Sequence, residues 1–331
     1  MYICVLSSPP DADDVPYDPS SYFTQYRWEH FIPTADNFKL EIDRLIEKGF
    51  DVFVNLCDGT PDDELSGIGL VNYLEERGAA FTGAGSKFFD PTRLEMKQAA
   101  QSANVPIPGS LFIEQKTDIL GVNHQLKFPL LVKPPHGYAS VGLSRESRVD
   151  DIPSLEIQTD IIFSRFGGAL IEEFIEGREF TTLIAENSEN PNKPITFQPI
   201  EFKFPPGESF KHYDMKWKEY DLMSVYPVCE MEIDSQLREL TERQFLAMNG
   251  TGYARCDFRM NAKGEIFLLE INPNCGIFYP PNEPGSADFI LMNDPLGHSG
   301  FLELILKSGL KRRLDFLNSH LPTKMQIVSK D

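Results

Sequence analysis

Basic residues are scarce in this chain: 31 Lys and Arg stand against 50 Asp and Glu over 331 residues, a formal net charge of -19. A nucleic-acid partner needs a broad basic surface, so that class of function is excluded. Cysteine is sparse too. Cys4, Cys57, Cys229, Cys256 and Cys275 are scattered without paired close spacing, which leaves neither a zinc signature nor a disulfide framework. Their odd number suits a reducing compartment, and a cytoplasmic location is expected. No apolar run reaches the length of a bilayer span, so no membrane partner is expected. The first such run, Met1 to Leu6, has no basic leader and breaks at Pro9-Pro10, before a signal peptide's hydrophobic region would be complete.

The length exceeds that of one ordinary core, so several domains are expected. Residues 2 to 6 read as a buried strand. Residues 9 to 33 read as a long irregular excursion that holds Tyr17, Tyr22, Phe23, Tyr26, Trp28 and Phe31. Such a stretch is either a functional lid or a surface loop pinned by its aromatic rings. Phe38, Ile42, Leu45 and Ile46 recur at helical spacing, with Gly49 as the C-cap. A strand follows over 51–56, then a helix over 62–77. This alternation indicates an open, largely parallel sheet whose ligands gather at the carboxyl ends of the strands. A helix opening at Pro91 and running to Ala103 starts a new unit. The strand 128–133 ends in Lys133, and a lysine in an apolar strand must leave the core or meet an anion. Gly137 and Gly142, around Ser140, would let backbone amides approach phosphate oxygens. Strands over 170–175 and 179–185, a surface turn over 187–194, a helix over 235–248 and a final helix over 299–316 complete the chain. The basic end of that last helix, Lys307 to Arg313, reads as charged surface.

The most informative stretch is Gly252 to Gly276. Two runs rich in aromatic and aliphatic residues flank Asn261-Ala-Lys-Gly264, the pattern of an antiparallel hairpin. Alternation places Arg255, Asp257 and Arg259 on one face of the first strand, and Leu268, Glu270 and Asn272 on one face of the second. With 261–264 as the loop, Arg255 would stand opposite Glu270, with Asp257 diagonal to it. Close carboxylates repel unless a cation or proton intervenes, and a hard ion such as Mg²⁺ would resolve the conflict. A one-residue register error would separate Asp257 and Glu270 onto opposite faces.

Tyr253-Ala-Arg-Cys-Asp-Phe258 and Leu269-Glu-Ile-Asn-Pro-Asn274 resemble the metal-binding core of the ATP-grasp ligases, in particular the D-alanine–D-alanine ligase branch. The resemblance implies an α/β chain with an ATP-grasp fold: an N-terminal open parallel-sheet domain over 1–90 and two α+β lobes, 91–178 and 179–331, enclosing the nucleotide. It implies ATP and two Mg²⁺ ions, with Mn²⁺ as an acceptable substitute, held by Asp257, Glu270 and Asn272. Arg255 would stabilise developing negative charge, and the Gly276 amide would contribute to an oxyanion hole. Lys133 would meet the α and β phosphates beneath a flexible loop bearing Ser140. Arg93 stands where the family has a lysine; it keeps the charge but replaces a compact ammonium with a planar fork. Glu172 is grouped with the nucleotide side chains. Backbone groups of Glu173, Phe174 and Ile175 would read adenine, Phe174 and Leu269 would give apolar contact, and Glu179 would bind the ribose. Within 210–220, Tyr213 would close over substrate and Lys218 would meet the transferred phosphate, with Lys216 as the competing candidate.

The implied activity is an ATP-dependent carboxylate–amine ligase forming an amide or dipeptide-like bond through an acyl phosphate. Its partners would be a small-molecule carboxylate and an amine, and a homodimer is a permitted assembly. A local cluster of cations can override the global acidity for ATP. The substrate side departs from the family in the stretch 9–33, at Cys57-Asp58 in place of a histidine, and at Pro280-Pro281 in place of a small hydroxyl residue. These departures give the expectation of a product other than D-alanyl-D-alanine. Two alternatives stay open: carboxylate phosphorylation without an amine acceptor, and a nucleotide-binding protein that has lost acceptor chemistry.

Overall fold

The computed structural model describes residues 1–9, 17–58, 65–119, 121–136, 140–219 and 222–319, arranged around three sheets. The first is parallel, with Tyr2–Ser7 between Arg27–Phe31 and Val52–Leu56. Ile3 to Leu6 and Val52 to Val54 are buried on both faces, as the near-continuous apolar runs of a covered parallel sheet require. The helix Phe38–Lys48 makes the crossover, and Gly49 ends it in the left-handed region at φ 87°. The next helix spans Gly67–Glu76, capped by the Ser66 hydroxyl; residues 62–64 of the expected helix lie outside the described residues. Phe31 closes an edge strand inside the stretch expected to be irregular. Arg27–Phe31 alternates charged and aromatic residues with no apolar run, so only its pairing with Tyr2–Ser7 identifies it as a strand.

The second sheet is antiparallel, in the order Ser110–Ile113, Ala169–Glu173, Leu130–Lys133, Arg148–Val149, with the helix Ile152–Phe166 packed on it. The helix Arg93–Ser102 precedes it and is opened by Thr92 rather than Pro91. Thr92 and Glu95 bond each other's backbone amides in a capping box. The third sheet runs Ser224–Pro227, Ile200–Lys203, Arg178–Ala185, Tyr253–Met260, Ile266–Pro273, with Ile195–Thr196 beside Arg178–Ala185. One face buries Phe180, Ile184, Phe258, Leu268 and Ile271 against Leu237 and Phe245 of the helix Met231–Ala247. Its other face carries Glu179, Thr181, Arg255, Asp257 and Arg259, which are charged or polar.

The hairpin register differs from the expected one. Met260 pairs with Ile266 and Phe258 with Leu268, but Asp257 pairs with Glu270 and Arg255 with Asn272. Leu269 is the extra residue of a bulge. Had the pairing at the turn continued, Glu270 would stand opposite Cys256 on the apolar face. The bulge moves Glu270 and Asn272 onto the face of Asp257 and leaves Leu268 on the core side. The expected grouping of Leu268 with Glu270 and Asn272 is therefore corrected.

The final helix, Gly297–Ser319, packs on the first sheet, and its end is not wholly surface. Arg312 lies over the Phe81 ring, with its guanidinium carbon 4.2 Å from the centroid, and donates to the Gly83 carbonyl at 2.9 Å. Gly83 is a point of close approach between the N-terminal sheet and the hairpin. Asn274, at φ 49°, donates through Nδ2 to the Cys57 carbonyl at 3.3 Å. At Gly252, φ 65°, a Cβ would lie 2.0 Å from the Gly83 carbonyl oxygen. Backbone meets backbone there, so neither side can yield. Gly252→Ala is expected to lose about 2–4 kcal/mol of stability, seen as a lowered midpoint in thermal denaturation, because it adds a left-handed conformation to a steric overlap.

Candidate active site

The site grows from the alternation of the central strands. Arg255 donates through Nε and Nη2 to the two oxygens of Asp257, each at 3.0 Å. The Thr181 hydroxyl donates to Asp257 Oδ1 at 2.6 Å from the neighbouring strand, and Asn272 Nδ2 to Oδ2 at 3.1 Å from across the hairpin. Burial pushes the Asp257 carboxyl up, but Arg255 and Lys211 more than offset it and hold it well below the usual carboxylate range. The expected Arg255–Glu270 opposition is replaced by this same-strand pair. Glu270 instead accepts from Arg93 Nη1 at 3.0 Å, a bond that crosses from the helix Arg93–Ser102 to the third sheet.

Glu172 is buried and takes both Lys97 and Lys133. Burial raises its carboxyl, yet the two ammonium groups bring it down to about 2. Lys133 shows the opposite balance: burial lowers its pKa to about 8, with Arg93 and Lys97 adding to the drop and Glu172 opposing it. Glu179 is buried as well, so it is not solvent-facing acidity. It pairs with Arg259 at 2.8 Å and with Lys211 at 3.5 Å. Arg259 also donates to the carbonyls of Ile175, Gly177 and Ser209, and its guanidinium lies 4.6 Å from the Phe174 ring centroid.

These contacts bear on the residues expected to read adenine. The amides of Glu173 and Phe174 donate to the carbonyls of Gly109 and Pro129, and the Ile175 carbonyl accepts from Arg259, so these three groups are engaged within the protein. The Glu173 carboxylate accepts from the Lys127 amide at 2.9 Å. Phe174 is buried with Phe210 edge-on at 5.8 Å. Leu269, at the bulge, is half-buried. Ser140 adopts φ 61° and donates to the Lys211 carbonyl at 3.1 Å; Gly137 lies outside the described residues.

Of the two competing lysines, Lys216 is the one that faces the acidic patch. It is half-buried, and burial together with Arg255 and Lys211 lowers its pKa to about 8, with Glu270 and Asp257 opposing. Lys218 is 68% exposed and paired with Asp214 at 2.7 Å, one helical turn back. It stands outside the cluster, and so does Tyr213, which is exposed at the start of the helix Tyr213–Trp217. Gly276 is exposed, and a Cβ there would lie 2.7 Å from the Tyr279 hydroxyl. Tyr17 and Tyr22 donate to the carbonyls of Ile277 and Tyr279, and Phe23 is fully buried against Trp28 and Phe278. The described part of the early aromatic stretch is therefore wall and core; residues 10–16 lie outside the described residues.

Four residues of the cluster carried no role in the sequence reading: Lys97, Thr181, Lys211 and Arg259. Lys97 was signalled by its place one turn after Arg93, and Arg259 by its alternation with Arg255 and Asp257. Nothing in the sequence marks Lys211. Taken together, Arg93, Lys97, Lys133, Lys211, Lys216, Arg255 and Arg259 face Glu172, Glu179, Asp257 and Glu270. Seven cations against four carboxylates make a basic patch in an acidic chain. Such an excess suits a polyanion of triphosphate size.

The second and third sheets and the helix Arg93–Ser102 bring a basic, carboxylate-bearing patch together, the arrangement of an ATP-grasp ligase, an ATP-dependent enzyme that forms carbon–nitrogen bonds. The chain belongs to the D-alanine–D-alanine ligase family: the family model described as D-ala D-ala ligase C-terminus matches residues 106–279, more than half of its 331 residues. It is similar to the D-alanine–D-alanine ligase of Ectopseudomonas mendocina, 28% identical over 244 residues that cover 73% of this chain and 72% of the relative. The D-alanine–D-alanine ligase of Acinetobacter baylyi is 27% identical over 238 residues, 70% of this chain and 71% of the relative. Among solved structures, the D-alanine–D-alanine ligase of Bacillus anthracis complexed with ATP superposes with a TM-score of 0.66 at 17% identity, covering 96% of this chain and 99% of that one. A D-Ala:D-Ser ligase from Enterococcus faecalis gives 0.67 at 16% identity, covering 94% and 99%. At these identities the structural likeness speaks for the fold, and it bears out the ATP-grasp architecture.

The comparisons correct the expected function. A product other than D-alanyl-D-alanine and a decayed scaffold were expected from departures on the substrate side, and carboxylate phosphorylation was kept open because it would use the same metal site. The family match runs from residue 106 through Tyr279, and the two relatives compared by sequence are D-alanine–D-alanine ligases. Differences at single substrate-side positions therefore do not take the chain out of that family. Among the described residues, no helix is long and apolar enough to cross a membrane.

The Glu172 cluster makes a stability prediction. A carboxyl lowered from 4.5 to about 2 contributes stability that is fully present above pH 4.5 and is lost as the pH falls through about 2. Glu172→Gln removes that contribution at every pH and leaves two buried ammonium groups without their anion. Urea denaturation at pH 7 should show a loss of about 3–5 kcal/mol, the range for breaking a buried pair from one side.

Proposed function

We propose that this protein joins two D-alanine molecules at the expense of ATP. The carrying observation is the match of residues 106–279 to the D-alanine–D-alanine ligase family. The charged patch supports the reading, because it offers the two features such a reaction needs: cations for a triphosphate and oxygen donors for its metal. One D-alanine carboxylate would take the γ-phosphoryl group, and the amine of the second D-alanine would then displace phosphate. In this reading, residues 1–90 supply the substrate side, 91–178 the central lobe, and 179–331 the lobe with the metal donors.

The donor set fits a hard divalent ion. Asp257 and Glu270 stand opposite each other on one face, and each is at present balanced by an arginine, the cation that a protein can itself provide. Asp257, Glu270 and Asn272 would hold Mg²⁺, in two ions or with Mn²⁺ substituting, and the bound metal would neutralise charge on the phosphate oxygens. Lys133, Lys97 and Arg93 would receive the phosphates, with Glu172 holding both lysines in place. Arg255, fixed by both of its bonds to Asp257, would face the charge that develops at the reacting carboxyl. Lys216 is the better-placed lysine for the transferred group, since Lys218 points to solvent. Glu179 and Phe174 would flank the nucleoside. Gly276 would give its amide to the oxyanion.

Incubation with ATP, Mg²⁺ and D-alanine should yield D-alanyl-D-alanine by mass spectrometry, in step with phosphate release. Phosphate release with no dipeptide, or dipeptide only from other amino acids, would overturn the reading. Glu270→Gln should lower kcat by about a hundredfold, the scale of lost metal-assisted charge stabilisation. Asp257→Asn should act in the same direction, and each variant takes a carboxylate partner from an arginine, Arg93 in Glu270→Gln and Arg255 in Asp257→Asn.

The pKa of Lys133 near 8 makes a further prediction. The ammonium is present below about pH 8 and is lost above it, so the KM for ATP should rise as the pH passes through 8. Lys133→Arg should remove the Lys133 part of that limb, because a guanidinium keeps its proton throughout the range, and leave the part due to Lys216, whose pKa is also lowered to about 8. A limb unchanged in the variant would assign it to another group.

A further inference from the structure

The loops bearing Ser140 and Lys216 hang from different sheets, and one arginine ties them together. Arg145 lies just before the strand Arg148–Val149 of the second sheet. Its Nε donates to Glu208 Oε1 at 2.6 Å and its Nη2 to Glu219 Oε2 at 2.8 Å. Glu208 and Glu219 bracket the segment that contains Lys211, Tyr213 and Lys216, between the strands Ile200–Lys203 and Ser224–Pro227 of the third sheet. Two lesser contacts run beside the arginine: Ser140 Oγ donates to the Lys211 carbonyl at 3.1 Å, and the Tyr213 amide to the Leu143 carbonyl at 3.1 Å.

The chemistry of the cluster requires a cation at its centre. Ligand atoms of Glu208, His212 and Glu219 lie within 4.8 Å of one another, and two carboxylates this close repel. His212 does not supply the charge. Its Nδ1 accepts from the Met215 amide at 3.2 Å, which leaves the proton of a neutral ring on Nε2, 3.0 Å from Glu208 Oε2. Arg145 supplies it, and a planar fork can serve both carboxylates at once where a point charge could not. Arg145 is about half exposed, and an isolated pair at that exposure would matter little. Here its removal leaves the two carboxylates facing each other across the ends of the segment.

We propose that Arg145 is a positioning residue for phosphoryl transfer: by clamping Glu208 and Glu219 it holds the intervening segment, and with it Lys216, over Arg255, Asp257 and Glu270. The proposal rests on the ligase reading for the reaction it serves, but the clamp itself can be tested without substrates.

In Arg145→Ala, amide hydrogen exchange over residues 208–219 should quicken by about fivefold in the ligand-free protein, with the strands of all three sheets unchanged. The kcat/KM for ATP should fall by about tenfold, while the KM for D-alanine stays within about twofold. Arg145→Glu should be worse than Arg145→Ala, since it puts three carboxylates together. Combining Arg145→Glu with Glu219→Arg restores one arginine between two carboxylates and should recover much of both readouts, a rescue that general loss of folding would not give. Unchanged exchange in Arg145→Ala would overturn the clamp, and faster exchange with unchanged kcat/KM for ATP would overturn the positioning role. Failure of the wild-type protein to make dipeptide would overturn the ligase reading and leave the clamp to be decided by exchange alone.

Discussion

The site depends on one extra residue. Without Leu269 bulged from the last strand, the pairing that begins at Met260 and Ile266 would place Glu270 against the apolar core and Leu269 opposite Asp257. A carboxylate there would have no cation within the core, and the charged face would lose Glu270 and Asn272, two of the three proposed metal donors. The bulge reconciles two demands on one strand: Leu268 and Ile271 pack against the helix behind it, and Glu270 and Asn272 look the other way. The strand satisfies both only by breaking its own alternation once.

Once the carboxylates share a face, the rest of the patch follows from charge balance. Each anion of the patch is matched: Asp257 by Arg255, Glu270 by Arg93, Glu172 by Lys97 and Lys133, Glu179 by Arg259 and Lys211. Pairs of this kind contribute little net stability, because desolvation offsets much of their attraction. Their value lies in preorganisation. Side chains held by two or three bonds before a ligand arrives need not be reorganised when charge develops. The surplus of cations is what remains for a polyanionic substrate.

Polar bonds of this kind also join parts of the chain that are far apart in sequence. Arg93 reaches Glu270, Arg259 reaches the backbone around Ile175 and Gly177, Arg145 reaches Glu208 and Glu219, and Asn274 reaches Cys57. The second sheet has a core of its own, which Arg259 and Arg145 reach across to, whereas the first and third sheets share their cores and Asn274 adds a polar bond between them. The elements that hold the site together are therefore also those through which one lobe would sense the position of another.

Much of this was determined by the sequence alone. The acidic composition, the hairpin between Gly252 and Gly276, the face shared by Arg255 and Asp257, and the strand ending in Lys133 are local properties, set by alternation and by turn chemistry within a few residues. Resemblance to the ATP-grasp ligases was legible for the same reason: its motifs are short and contiguous. What the tertiary structure decided is relational. Leu269 looks like any strand leucine until its partners show that it has none opposite, and Lys216 and Lys218, two residues apart, are distinguished only by which of them burial turns toward Asp257 and Glu270. Arg27–Phe31 became a strand because Tyr2–Ser7 lay beside it, against a pattern that reads as loop. The sequence-based doubt about the product arose from the stretch 9–33, Cys57-Asp58 and Pro280-Pro281, which lie outside residues 106–279, and they do not outweigh a family match carried by more than half of the chain. Side-chain identity sets what a residue can do; only the long-range packing, through burial and neighbouring charge, sets which residue does it.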